Sequence, residues 1–384
     1  MFILLSTNFY SFNSYNEDKY IDIFSHPVSY EIPELGNPET GGLAMKIRVY
    51  STLENRYKEY KVLLDTISSS FWLISEMCYC EDCLNKNKFD SHDYFGDTSI
   101  FYNKGNLEGY ITSQTVHLKS VVLENQTLLL IHHVDFPHFR KSSFDGMMGL
   151  SALLSPLHDE NNYNSVVQNL RKFYNQDGLI SPVYIIFKLG GKAPYVKFYF
   201  LEDFDLYHVR TNKEGKKESI YWINLADYDK LVLGLNYIKM LYYKNENLVK
   251  EEYLFEDCLQ LGCRAFIDTK SYYIYGPKYQ MLKLENFSKY NCDDLSNLPY
   301  LEISFFDIDA ETSTSDSTLE LTLSPEEWMV NDSEDSKCSP GIQDHKLDSG
   351  WSFGILFMKR FLIMYNFNKS QIGFVRSRID NEDN

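Results

Sequence analysis

Two short segments, about half the chain apart, carry the same pattern of aspartate, threonine, any residue and serine. The first begins at Asp65 and the second at Asp268. Two carboxylates held close together cannot both ionise easily, so such a pair shares one proton. The pair can then accept a proton from one group and donate a proton to another, which is general acid–base chemistry. One copy alone would mean little, because Asp-Thr at a strand end is commonly an Asx turn.

The surroundings of the two aspartates repeat as well. Each aspartate follows an apolar run typical of a buried strand, residues 62–64 and 265–267. Each is also followed, at nearly the same distance, by a short apolar stretch that closes on a glycine, Gly149 or Gly354. Because an internal repeat builds similar structural units, we expect two lobes that each deliver one carboxylate to a shared site.

Several motifs, in the same order along the chain, resemble those of the pepsin-like aspartic proteases over roughly residues 41–376. Residues 65–72 are similar to the family's Asp-Thr-Gly-Ser-Ser-x-x-Trp, residues 144–150 to its Phe-Asp-Gly-apolar-apolar-Gly-Leu, and residues 351–374 to its C-terminal strand pair. Tyr102 resembles the tyrosine of the family's β-hairpin flap. The resemblance implies an all-β, bilobal double β-barrel with pseudo-two-fold symmetry and a cleft between the lobes.

On this basis the chain divides into three parts. Residues 1–40 are interpreted as an N-terminal segment, a signal or a short pro-region, residues 41–205 as the N-terminal lobe with Asp65, and residues 206–384 as the C-terminal lobe with Asp268. Most of the chain has the pattern of short strands, and helical patterns are found near residues 166–173 and 279–287.

The resemblance also implies an activity, the hydrolysis of peptide bonds by an aspartic-type endopeptidase that needs neither cofactor nor metal. Asp65 and Asp268 would share a proton and activate the attacking water. Tyr102 would cover the substrate, with Trp72 supporting its hydroxyl. A peptide or protein substrate would bind as an extended strand. Four further side chains would lock the two loops or bond the outer carboxylate oxygens: Thr66, Ser68, Thr269 and Ser271.

Three positions depart from the family pattern. Ile67 and Lys270 replace the glycines that follow Asp-Thr, and Ile355 replaces an aspartate. Ile67 restricts the local backbone, because it is β-branched. The Lys270 ammonium either reaches the dyad, where it would favour the doubly ionised form, or extends into solvent without effect. The alternative function is therefore a catalytically impaired protein of the same fold, which binds peptides or another ligand.

The seven cysteines give a second set of expectations. The resemblance implies the disulfides Cys78–Cys83, Cys258–Cys263 and Cys292–Cys338, with Cys80 left over. Paired cysteines require an oxidising compartment, so we expect the secretory pathway and an extracellular or acidic vacuolar location. Four Asn-x-Ser/Thr sequons agree with that route, at Asn125, Asn286, Asn331 and Asn368.

Two metal-binding interpretations compete with this one. Three thiolates and an imidazole would satisfy tetrahedral zinc, and Cys78, Cys80, Cys83 and His92 could supply them. Family spacing accounts for two of these cysteines without a metal. A group of three histidines also suggests a metal, but follows an apolar strand and is interpreted as a solvated strand end: His132, His133 and His138.

Composition limits the partners. The chain has 384 residues and a net charge of −17. This charge argues against nucleic acid or an anionic membrane as a partner. The longest apolar runs are too short to span a membrane, and the apolar start at residues 1–5 is very short as well. We expect a monomer.

Overall fold

The computed structural model describes residues 20–21, 42–51, 53–91, 93–102, 105–118, 121–135, 139–151, 164–174, 184–190, 195–199, 220–226, 231–255, 263–278, 282–287, 290–306, 318–332, 337–345 and 350–376. The predicted boundary between the lobes, after residue 205, lies outside these residues and stays a prediction. Strands dominate the described residues. The prediction of an all-β, bilobal, pepsin-like fold is confirmed.

Within the described residues, the first half of the chain contributes ten strands, which alternate buried and exposed side chains where one face meets solvent. These strands are β1 Tyr20–Ile21, β2 Ala44–Ser51, β3 Arg56–Asp65, β4 Phe71–Ile74, β5 Gly96–Tyr102, β6 Gly105–Leu118, β7 Val121–Asp135, β8 Gly146–Gly149, β9 Tyr184–Lys188 and β10 Tyr195–Tyr199.

The second half contributes fourteen strands to the described residues. They are β11 Tyr221–Asn224, β12 Val232–Lys244, β13 Asn247–Phe255, β14 Cys263–Ile267, β15 Ile274–Pro277, β16 Tyr290–Asn291, β17 Tyr300–Phe306, β18 Thr318–Leu323, β19 Met329–Asp332, β20 Lys337–Pro340, β21 Ile342–His345, β22 Trp351–Phe353, β23 Phe361–Asn366 and β24 Gln371–Arg376.

Helical elements among the described residues are short. The α-helices there are α1 Val166–Tyr174, α2 Pro325–Trp328 and α3 Ile355–Met358, and the 3₁₀ helices are Glu81–Cys83, Phe139–Lys141 and Leu282–Phe287. Helix α1 lies where the first helical pattern was found, and its buried Val166, Val167 and Leu170 form the face that packs on β7. The second pattern predicts a helix, and the structure has a 3₁₀ helix there. No helix in the described part of the chain is long and apolar enough to cross a membrane.

The same four-strand arrangement occurs in both lobes. In the first, β3 runs parallel to β8, β8 is antiparallel to β4, and β4 is parallel to β7. In the second, β14 runs parallel to β22, β22 is antiparallel to β15, and β15 is parallel to β21. The internal repeat of the sequence is therefore a repeat of topology, and it places each aspartate at the end of an equivalent strand.

A third sheet joins the two halves of the chain. Its strand order is β1-β10-β9-β23-β24-β11, so β9 from the first half pairs directly with β23 from the second. One large apolar cluster runs through both halves and includes Leu64 and Met148 beside one aspartate, and Ile267 and Phe353 beside the other. Both aspartate-bearing loops thus rest on a common core, which limits their relative movement.

Candidate active site

Asp65 is the last residue of β3, and Asp268 follows β14 directly. Both side chains are buried. Each aspartate loop passes close to the closing glycine of its own lobe, Gly149 for the Asp65 loop and Gly354 for the Asp268 loop. A Cβ added to Gly149 would lie 2.5 Å from the Ser68 carbonyl oxygen, and one added to Gly354 would lie 2.4 Å from the Ser271 carbonyl oxygen. Glycine is therefore required at both closing positions, because the backbone of an aspartate loop lies where a side chain would have to fit.

The two threonines tie these loops to each other. The Thr66 hydroxyl donates to the Ile267 carbonyl at 2.5 Å, and the Thr269 hydroxyl donates to the Leu64 carbonyl at 2.7 Å. Each hydroxyl also accepts from the other threonine's backbone N–H, at distances of 3.2 and 3.3 Å. Both side chains are buried. This crossed arrangement bonds segments about 200 residues apart in sequence and ties the two aspartate-bearing loops to each other.

Both carboxylates receive the same pair of local hydrogen bonds. Asp65 accepts from the Ile67 backbone N–H at 2.9 Å and from the Ser68 hydroxyl at 2.6 Å. Asp268 accepts from the Lys270 N–H at 2.9 Å and from the Ser271 hydroxyl at 2.6 Å. Ile67 and Lys270 are not among the described residues with positive φ, so neither needs a glycine-type backbone conformation. The loss of the motif glycines has not removed the main-chain donors.

Lys270 adds a contact that has no counterpart in the first loop. Its ammonium nitrogen lies 2.9 Å from Oδ2 of Asp65, although Lys270 itself follows Asp268. The lysine side chain is 27% exposed and the Asp65 side chain 0% exposed. The interpretation that Lys270 extends into solvent without effect is therefore wrong. The ammonium reaches the carboxylate delivered by the opposite lobe.

Ser352 is a contact that the sequence analysis missed. Its hydroxyl lies 3.2 Å from Oδ2 of Asp268, the same oxygen that accepts from Ser271. The equivalent residue in the first lobe is Met147, as the pairing of β8 and β22 with their neighbours shows. A serine within the otherwise apolar stretch 351–354 was the signal that could have indicated it.

The predicted flap corresponds to the hairpin of β5 and β6. Tyr102 pairs with Gly105 next to its turn, and Phe101 beside it is 80% exposed. Trp72 is buried in an apolar cluster that also contains Leu107 of β6, and its ring centroid lies 5.7 Å from that of Phe139. The support of the Tyr102 hydroxyl by Trp72 stays a prediction.

Ile355 occupies the position after the second closing glycine as a buried residue. Its backbone N–H donates to the Ser271 carbonyl at 2.8 Å, and it begins α3. The residue therefore contacts the Asp268 loop through its main chain, and its side chain adds no charge there.

The described cysteines include two complete disulfides and one free thiol. The structure contains the disulfides Cys78–Cys83 and Cys292–Cys338. Cys263 is also disulfide-bonded, and Cys258, its partner by prediction, lies outside the described residues. The free Cys80 places its sulfur 3.3 Å from that of Cys78 and 3.2 Å from that of Cys83.

The zinc interpretation is disfavoured by this arrangement. Cys78 and Cys83 are bonded to each other, so two of its three thiolates are not free to bind a metal. His92, its fourth ligand, lies outside the described residues. Of the other histidines, His132 and His133 lie on β7 with at least partly exposed side chains, and His138 is outside the described residues.

Comparison with known proteins agrees with this geometry. The model of the eukaryotic aspartyl protease family matches residues 53–377, and the chain belongs to that family. Plasmepsin VII of Plasmodium falciparum (isolate NF54) is 24% identical over 364 residues, which cover 85% of this chain and 77% of the plasmepsin. Human gastricsin is 23% identical over 346 residues, covering 83% and 78% of the two chains, and chicken (Gallus gallus) pepsin A is 23% identical over 347 residues, covering 82% and 80%.

Proposed function

We propose that this protein is an aspartic-type endopeptidase in which Asp65 and Asp268 together activate a water molecule against a peptide bond. The observation that carries the proposal is the matched environment of the two carboxylates. Each is buried, and each accepts from a backbone N–H at 2.9 Å and a serine hydroxyl at 2.6 Å. Crossed threonines keep the pair together. Such a pair holds the one shared proton that acid–base catalysis needs.

In this mechanism one carboxylate accepts a proton from the water as its oxygen attacks the scissile carbonyl carbon. The other carboxylate donates the shared proton to the carbonyl oxygen, and a proton then passes to the leaving amine as the carbon–nitrogen bond breaks. Thr66 and Thr269 hold the loops, and Ser68 and Ser271 orient the carboxylates. The flap hairpin, with Tyr102 next to its turn, would cover an extended peptide.

The decisive experiment is cleavage of a denatured protein substrate between about pH 3 and 6, with and without pepstatin. Asp65→Asn and Asp268→Asn should each lower kcat/KM by about 100-fold or more, because each variant lacks one of the two groups that transfer protons. Circular dichroism and melting curves should show that both variants are folded. Cleavage that survives in either folded variant, or that pepstatin does not inhibit, would contradict the proposal.

A second candidate is a non-cutting protein that binds peptides on the same fold. The observation in its favour is the ion pair between Lys270 and Asp65, which neutralises part of the charge at the dyad. On this alternative, the wild type binds pepstatin or a peptide without cleavage. The double variant Ile67→Gly, Lys270→Gly would then gain pepstatin-sensitive cleavage. Cleavage by the wild type would exclude this non-cutting alternative.

We further propose that the protein folds and works in an oxidising compartment of the secretory route, either outside the cell or in an acidic vacuole. The disulfides Cys78–Cys83 and Cys292–Cys338 support this location, because such bonds persist where thiols are not kept reduced. Alkylation of protein from its native cells, followed by peptide mapping without reduction, should recover both bonds. Free thiols at these four positions would contradict the location.

A further inference from the structure

Lys86 is a buried lysine that no step of the proposed mechanism uses. It is 8% exposed, and its ammonium donates to the Ser142 carbonyl at 2.6 Å and to the Ser142 hydroxyl at 2.7 Å. The same nitrogen lies 4.3 Å from the ring centroid of Phe139 and 5.8 Å from that of Phe144. Burial lowers the pKa of the ammonium to about 8, so the group is a cation throughout the acidic range. Hydrogen bonds and ring faces take the place of water around it.

The loop that carries Lys86 is fixed on both sides of this residue. Its backbone N–H donates to the Cys83 carbonyl at 3.3 Å, and Cys83 is bonded to Cys78. The next residue, Asn87, donates its backbone N–H to one oxygen of the buried Asp145 at 2.8 Å and its side-chain amide to the other at 3.1 Å. Because the loop is held by a disulfide and a carboxylate, the ammonium can fix the position of the segment that it bonds.

That segment is the turn from Phe139 to Ser142. Within it, Ser142 donates both its backbone N–H, at 3.0 Å, and its hydroxyl, at 2.7 Å, to the Phe139 carbonyl. On its outer side, the turn has an ion pair between Arg140 and Glu81, and both of these side chains are exposed. Exposed ion pairs contribute little to stability. The buried hydrogen bonds from Lys86 are therefore the stronger of these two links between the turn and the neighbouring loop.

Phe139 belongs to an apolar wall between Asp65 and the flap hairpin. We define this wall as Phe139, Trp72, Leu63 of β3 and Leu107 of β6, which share one buried cluster. The Phe139 and Trp72 ring centroids are 5.7 Å apart. Leu63 precedes Asp65 by two residues on β3, so their side chains point to the same face of that strand. A peptide held between Asp65 and the flap hairpin would therefore place a side chain against the apolar wall.

We propose that Lys86 is a positioning residue that holds Phe139 in the apolar wall and thereby sets how strongly the site prefers a large apolar side chain to a small one beside the scissile bond. This inference rests on the proposed endopeptidase function. Lys86 does not touch the peptide in this role. Without its hydrogen bonds the Phe139 turn would shift relative to the loop, and a large side chain would lose more packing contacts than a small one.

The test is a competition between two peptides that differ only by Leu or Ala beside the scissile bond. Its readout is the ratio of their kcat/KM values, which does not depend on how much of a preparation is folded. Lys86→Met should lower the Leu-to-Ala ratio by about five-fold or more, chiefly through a higher KM for the Leu peptide. Ser142→Ala keeps the hydrogen bond to the carbonyl and should lower the ratio by less.

Two comparisons separate positioning from a general structural role. The matched control is Lys88→Met, because Lys88 lies on the same loop and its ammonium donates to the Cys78 carbonyl instead. Its ratio should equal that of the wild type. In a Phe139→Leu background, Lys86→Met should change the ratio by less than about two-fold, because Lys86 acts through the Phe139 ring.

Three results would overturn the proposal. They are an unchanged ratio in Lys86→Met, an equal loss in Lys88→Met, and a loss in the Phe139→Leu background as large as in the wild type. If Lys86→Met yields no folded protein, Ser142→Ala decides alone, and an unchanged ratio in that variant overturns the proposal.

Peptide binding separates this inference from the proposed function. If the wild type cuts neither peptide, the endopeptidase proposal fails, and the ratio of the two dissociation constants, measured by calorimetry, replaces the kinetic ratio. A preference for the Leu peptide that falls about five-fold in Lys86→Met would then support the role of Lys86 without catalysis. The same binding ratio in the wild type and in Lys86→Met would overturn it.

Discussion

The two aspartate loops share a backbone and differ in charge. Their main-chain and serine donors lie at equal distances from the two carboxylates. The difference lies in the side chains: an ammonium on Asp65 in one case, and the Ser352 hydroxyl on Asp268 in the other. The family motif therefore has two separable parts. The backbone positions the carboxylates, while the residue after Asp-Thr sets the charge around them.

This separation changes how the missing glycines are interpreted. A glycine after Asp-Thr is needed only if its backbone must adopt a conformation that other residues avoid. Neither Ile67 nor Lys270 has such a conformation, and both donate their N–H to the adjacent aspartate. By contrast, Gly149 and Gly354 lie where a Cβ would collide with backbone. Glycine is sterically required at the closing positions, Gly149 and Gly354, whereas the positions after Asp-Thr tolerate a side chain.

The largest expected effect follows from that contrast. Gly149→Ala and Gly354→Ala should each destabilise the fold by about 3 kcal/mol or more, because the new methyl would meet backbone atoms that cannot move alone. Urea denaturation of the two variants measures this. Gly96→Ala is the control, since its Cβ would lie 3.6 Å from an Ile111 side-chain carbon and should cost far less. Wild-type stability in either closing-strand variant would refute the steric argument.

Substitutions of the crossed threonines test whether the two loops contribute equally to the free energy of unfolding. Thr66→Val leaves the Ile267 carbonyl and the Thr269 N–H without their hydroxyl partner, and Thr269→Val does the same to Leu64 and Thr66. Each change should lower the free energy of unfolding by about 2 to 5 kcal/mol, since a buried main-chain group without a partner costs about 1 to 3 kcal/mol.

Denaturant titrations of both valine variants supply the numbers, with Thr66→Ser and Thr269→Ser as controls that keep the hydroxyls. The serine variants should stay near wild type. The two valine variants should agree within about 1 kcal/mol, because the hydrogen bonds they remove are equivalent. A larger difference between the two valine variants would show that the two threonines do not contribute equally to stability.

The sequence predicted the parts of the molecule that depend on local pattern. Both aspartates, their following threonines and serines, and the closing glycines could be found because each occurs twice in the same order. The Lys270–Asp65 contact could not be predicted in the same way. It depends on the direction of one flexible side chain. It also depends on the threonine hydrogen bonds, which bring together two loops that are 205 residues apart in sequence.

Ser352 was missed for a different reason. One serine in an apolar strand points to either face, and its side is decided only by the register of β22 with β14. That register is a tertiary property. The second helical pattern became a 3₁₀ helix, because short apolar spacing alone does not separate the two kinds of helix.

The smallest expected effect concerns the asymmetry at Asp268. Ser352→Ala removes one of two hydroxyls from Oδ2 and leaves Ser271 in place at the shorter distance, 2.6 Å against 3.2 Å. The lost hydrogen bond should lower kcat/KM by roughly five-fold, or about 1 kcal/mol. Ser271→Ala, measured beside it, should have the larger effect on rate. A loss larger for Ser352→Ala than for Ser271→Ala would show that the Ser352 hydroxyl acts on the substrate and not through its hydrogen bond to Asp268.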